Sequence, residues 1–196
     1  MPIHELFGGA ITAIIPHEFV DASQLRQIPD TQEVFVHTRT DASIIVEILE
    51  VAEVGSGQCG SWHFWNIAEE NGAKDQSQIL AVQNWNTPSN NHLPANSFIS
   101  VVRGQSLIAK YHEQAKNLVS VLVAVIRLPA PHSADIIITY NDPRIISAES
   151  SSAISVEGAV IGTGNFPTSN GSSSQAEAEF KELLESFSIL DLSLFG

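Results

Sequence analysis

Two glutamates stand inside the aliphatic run SIIVEILE (residues 43–50). A carboxylate left unpaired in a core is costly, so Glu47 and Glu50 must reach solvent or a cationic partner. Asp30 and Glu33, on the preceding segment, add two more acids beside apolar strand residues. Carboxylates of this kind recognise basic groups. One reading is an interaction face; the other is a solvated sheet edge kept from aggregating by its charge. Strict strand alternation would send Glu47 and Glu50 to opposite faces. They act together only near a strand end, a twist or a bulge, or in a helix.

Other chemistry has little support. Seven histidines (His4, His17, His37, His63, His92, His112 and His132) form no HExxH or other close ligand pair, so no metal site is expected. Cys59 is the lone cysteine, which excludes an internal disulfide and points to a reducing compartment, cytosol or nucleus. It has no base nearby in sequence and reads as an inert loop thiol. GSGQCG (55–60) fits GxGxxG, but the strands after it look like hairpins, not a parallel βαβ unit; it reads as a flexible glycine-rich turn. GxxxxGK[ST] and GxSxG are absent, so neither a P-loop nor a hydrolase elbow is present. WHFW (Trp62–Trp65) is either core packing or an aromatic ligand pocket, with packing favoured.

The whole chain sets the background. It has 196 residues and a net charge of −13, from 22 acids against nine bases. That argues against nucleic acid, whose phosphates need clustered Lys and Arg, and fits a partner with a basic surface. The imbalance is greatest in residues 1–75, with twelve acids and three bases. The longest apolar run, VSVLVAVI before Arg127, is far short of the roughly 20 residues of a membrane span. The start, MPIHELFGGAITAIIP, lacks the basic residue of a secretory signal.

These residues must be carried by an α+β domain spanning 1–196. Leu6–Pro16 reads as one strand. Asp21 or Ser23 caps a short helical turn before Pro29. A turn at Pro29-Asp30 leads into a strand through Val34–Val36. SIIVEILE is favoured as a strand by its Ile-Ile-Val cluster, with a helix as the alternative. A short helix covers Trp65–Glu70 and stops at Asn71-Gly72. SQILAVQNW is a further strand and NTPSNNHLPANS a polar loop. Residues 97–110, 117–128 and 134–141 follow as three strands whose short links make them antiparallel. Residues 142–174 are rich in Ser and Gly and read as a flexible loop. Ser172–Ser174 can cap a final helix with the stripe Phe180, Leu183, Leu184 and Phe187, and with Glu177 and Lys181 paired on its outer side.

The motifs LFGGAITAIIP, DASQLRQIPDTQEVF, SIIVEILE, VAVIRLP, ADIIITYN and SFSILDLSLFG, in this order, resemble the Ran guanine-nucleotide release factor family. The likeness covers nearly all of 5–141 and 175–196, and leaves the Ser/Gly stretch without a counterpart. It implies a PsbP-like α/β/α sandwich: a central antiparallel sheet of about six strands flanked by helices. It implies a non-enzymatic protein without a cofactor. Its function would be to bind the GTPase Ran, nucleotide-bound or nucleotide-free, with or without a second Ran-binding protein. It would promote release of guanine nucleotide and support nuclear import, as a monomer, in nucleus and cytoplasm. In that family, acids of the segment matching SIIVEILE contribute to Ran binding; they fall on Glu47 and Glu50. Asp30 and Glu33 extend the face on grounds of charge and proximity in sequence. The rival function is a small-molecule-binding or enzymatic domain with a pocket near Trp62–Trp65.

Overall fold

A computed structural model describes residues 2–86, 93–109, 116–146, 160–161 and 174–196. The first apolar stretch is not one strand. β1 (Ile3–Leu6) and β2 (Ile11–Ile14) pair as an antiparallel hairpin around a tight turn at Phe7–Gly9. Gly8 and Gly9 adopt φ of +66° and +90°, which most side chains disfavour, and so reverse a chain whose flanks are β-branched. β11 (Ser188–Ile189) adds to β2 and completes a small three-stranded sheet.

The main sheet holds β3 (Phe19–Asp21), β4 (Gln32–His37), β5 (Ser43–Glu50), β6 (Ser77–Asn86), β7 (Phe98–Ala109), β8 (Lys116–Arg127) and β9 (Ala134–Ile146). Their spatial order is β3-β4-β5-β9-β8-β7-β6, all antiparallel, seven strands in a row. β10 (Val160–Ile161) lies parallel to the end of β9. β9 therefore runs five residues into the Ser/Gly-rich stretch. The rest of that stretch, 147–159 and 162–173, lies outside the described residues, as do YHEQA (111–115), the middle of the NTPSNNHLPANS loop and the capping position before the last helix.

β8 shows why the sheet is central. Val119, Val121, Val123 and Val125 face one side, Leu122, Ala124 and Ile126 the other, and all are buried. A strand covered on both faces reads as an unbroken apolar run. On the first face lies α1 (Ser56–Glu70), with Cys59 and Phe64 inserted among the valines. On the second lie the small sheet and α2 (Ser174–Ser186), whose Phe180, Leu183 and Leu184, with Phe187 just beyond, are buried as the stripe predicts.

α1 is longer than the sequence suggests. It starts at Ser56 and absorbs GSGQCG. The glycines there serve packing: a Cβ at Gly60 would collide with the Ser100 hydroxyl and Val102 of β7. Opposite, the Phe64 ring rests on Gly104, where a Cβ would overlap it. The helix ends as expected at Asn71-Gly72, with Gly72 at φ +62°. The expected Glu177–Lys181 pair is replaced. Glu177 reaches Arg103 of β7 at 3.0 Å, and Lys181 lies 3.6 Å from Glu185. The contact to Arg103 is partly shielded by the sheet, whereas an i,i+4 pair would stand in solvent.

Candidate functional site

β5 carries Glu47 and Glu50, and its register decides how they are displayed. Pairing with β9 runs without a break from Ser43↔Asn141 to Glu50↔Ala134. With no bulge, side chains alternate strictly. Glu47 shares the α1-side face with Ile45 and Leu49; Glu50 shares the other face with Val46 and Ile48. The two acids are therefore not on one face. Glu50 is the last residue of the strand and is exposed. Glu47 is half-buried and accepts a hydrogen bond from Gln32 Nε2 at 2.6 Å. Leu49, between them, is 37 % exposed.

Asp30 and Glu33 lie at the same end of the sheet, because β4 starts where β5 finishes: Gln32 pairs with Glu47, and Ile48 N–H donates to Thr31 O at 3.0 Å. They belong to a different group, however. With Glu5 and Asp21 they line an open cleft between the start of β4 and the Phe7–Gly9 turn. Asp21 there accepts from Ser23 N–H at 2.8 Å, making it the cap of the Ala22–Gln24 turn. Glu33 Oε1 accepts the Phe7 N–H at 2.6 Å. Glu33 thus helps to dock the first hairpin, while Asp30 is exposed.

A second cluster has no contiguous motif in the sequence. Arg127 and Asp135 face each other at the β8–β9 turn. Arg127 Nε and Nη2 donate to the two Asp135 oxygens, each at 2.7 Å. The same guanidinium reaches Val54 O at 2.6 Å and Ala52 O at 3.2 Å. Asp135 Oδ2 also accepts the Ala52 N–H at 3.1 Å and lies 2.9 Å from His63 Nε2 of α1. Asp135 is wholly buried. Burial alone would raise its pKa, but hydrogen bonds from Arg127, His63 and the Ala52 amide outweigh that and hold it at about 2. The available signal was a charge at each facing end of two apolar strands.

Of the other candidates, Cys59 is fully buried, and desolvation raises its thiol pKa, so it is a poor nucleophile. Phe64 is buried in the α1 core and Trp65 packs edge-on against it at 5.3 Å; Trp62 is 39 % exposed. Among the described residues, no three His, Cys, Asp or Glu side chains gather as a metal site. His37 Nδ1 accepts the Arg39 and Thr40 amides of a turn. No helix among the described residues is long and apolar enough to cross a membrane.

Residues 4–143 match the model of a family described as Ran-interacting Mog1 protein. The chain is 36 % identical to a Ran guanine nucleotide release factor of Danio rerio, over 97 % of this chain and 98 % of that one. It is 32 % identical to the nuclear import protein mog1 of Schizosaccharomyces pombe, over 98 % and 99 %. The crystal structure of the Saccharomyces cerevisiae Ran-binding protein Mog1p superposes with a TM-score of 0.65 at 27 % identity, covering 100 % of this chain and 98 % of that one. Cyanobacterial PsbP from Synechocystis shares the fold, with a TM-score of 0.55 at 10 % identity, over 96 % and 91 %.

Proposed function

The chain belongs to the family of Ran-interacting Mog1 proteins, and on that premise we propose that it binds Ran, promotes release of Ran's guanine nucleotide and supports nuclear protein import. It acts by protein contact in nucleus and cytoplasm, without covalent chemistry and from a single domain. The observation that carries the reading is the end of β5. There Glu47, steadied by Gln32, and the strand-terminal Glu50 flank the exposed Leu49.

Because the pleat turns the two acids to opposite faces, the partner must grip the strand's end from both sides. Asp30 extends the acidic surface. Glu33 contributes least, since its carboxylate already holds the Phe7 amide. The mechanism is linkage. A protein that binds the loosened, nucleotide-free GTPase more tightly than the loaded one weakens nucleotide binding by the same factor. Carboxylates suit this role, because they pair with basic groups that otherwise clamp phosphates and they repel the γ-phosphate.

The test loads Ran with γ-labelled GTP and adds a stoichiometric amount of this protein. Label is expected as intact GTP, with the complex to empty Ran dissociated by excess nucleotide. Glu47→Lys with Glu50→Lys should weaken binding by roughly 100-fold, about 2.8 kcal/mol, with an unchanged circular dichroism spectrum. Label leaving as free phosphate at an enhanced rate overturns release and makes the protein a GTPase activator.

A further inference from the structure

Arg127 and Asp135 reach well beyond their own turn. The link between β5 and α1 is only Val51–Gly55. Three of its backbone groups are held by this pair: the carbonyls of Ala52 and Val54 by the guanidinium, and the amide of Ala52 by the carboxylate. His63, in the second turn of α1, joins the same carboxylate. One buried charge pair therefore ties together the end of β5, the start of α1 and the β8–β9 turn.

Stability alone does not call for such a device. Well-packed apolar residues often do as well as a buried ion pair or better, because they avoid its desolvation cost. What hydrogen bonds add is direction: they fix where a carbonyl points, not only how near it lies. The first group so fixed, the Ala52 amide, is two residues beyond Glu50. Glu50 itself is exposed, so nothing in its own side chain's packing sets its course.

We propose that Arg127, Asp135 and His63 are positioning residues for the acidic end of β5, holding the backbone after Glu50 so that Glu50 and Leu49 meet the partner already ordered. This rests on the Ran-binding reading of those acids. Preorganisation of this kind raises affinity by settling the ordering cost during folding, before the partner arrives.

The test uses the full chain with Arg127→Met, Asp135→Leu and His63→Leu combined, which replaces every member of the cluster by an apolar side chain. The urea midpoint is expected to equal or exceed that of the wild type. Amide exchange at Ala52 and Val54 should quicken, and Ran affinity should fall about tenfold. In a Glu50→Gln background the same triple change should cost less than about threefold, because the charge it positions is gone. A triple variant that folds and binds Ran like the wild type overturns the proposal, as does an equal loss in both backgrounds. Should the triple variant not fold, Arg127→Lys takes its place. It keeps the charge beside Asp135 but has no planar fork to span carboxylate and carbonyls together. It should stay folded and lose affinity in the wild-type background only; unchanged affinity overturns the proposal. Failure of the wild-type chain itself to bind Ran would instead bring down the functional reading, and this inference with it.

Discussion

Asp135→Asn isolates the buried charge pair from everything around it. The substitution keeps the side chain's shape and one acceptor oxygen, but leaves Arg127 buried without a counter-charge. Breaking a buried pair from one side costs about 3–5 kcal/mol at neutral pH, a large share of the roughly 5–15 kcal/mol that holds a domain together. The pH dependence gives a second, independent magnitude. The folded pKa of Asp135, about 2, is depressed below its ordinary 3.8. A depressed carboxylate stabilises fully above the unfolded value, and that stabilisation is lost as pH falls through the folded one. From the two values, the contribution shrinks by about 1 kcal/mol between pH 6 and pH 3, and by about 2 kcal/mol by pH 2. Asn does not titrate. Urea unfolding of both proteins, followed by tryptophan fluorescence, should therefore show a gap of at least about 3 kcal/mol at pH 6 that narrows by those amounts on acidification. A gap below about 1 kcal/mol at pH 6 would refute the pair as a structural anchor. A gap constant with pH would refute the depressed pKa.

Gly104→Ala should destabilise by about 1–3 kcal/mol in the same assay, because the new methyl overlaps the Phe64 ring and sits 2.8 Å from the Gln78 carbonyl; a neutral result would mean that α1 shifts freely on the sheet. Glu33→Ala should cost about 1–3 kcal/mol by orphaning the part-buried Phe7 amide, whereas Glu33→Gln, which keeps an acceptor, should cost less. Titration of both variants with Ran should show affinity changing far less than for Glu50→Lys, and equal losses would refute the ranking of Glu33 below Glu50.

What the sequence disclosed depended on whether the signal was local. β8 as a strand, a cap at Asp21 or Ser23, the stripe on α2 and the alternation that separates Glu47 from Glu50 all follow from neighbouring residues. The length of α1 did not, because glycine scores against helix. Only the approach of Ser100 and Gly104 from a strand some forty residues away explains why glycine belongs at position 60 and why Phe64 can lie flat. The structural role of Glu33 is hidden from the sequence for the same reason. Its partner amide at Phe7 is 26 residues distant, and no spacing rule reaches that far. Arg127, Asp135 and His63 are assembled from three elements, so each alone resembled an ordinary polar residue. Glu177 chose Arg103 over its own helix neighbour on equally non-local grounds.

The strand order also has a consequence in time. β5 finds β4 at once across a short turn, but its other edge waits for β9, about ninety residues further along. A ribosome adding about 5–20 residues per second takes roughly 5–20 s to supply that partner. During the wait the nascent chain offers Ile44, Val46 and Ile48 on an unpaired edge. Contacts of such long range form late in any case, since the closing loop must be ordered first. The strand that carries Glu47 and Glu50 is therefore completed only once Ala134–Ile146 of the 196-residue chain has been made. Charges set among aliphatic strand residues are of the kind that oppose mispairing, and Glu47 and Glu50 stand on that strand.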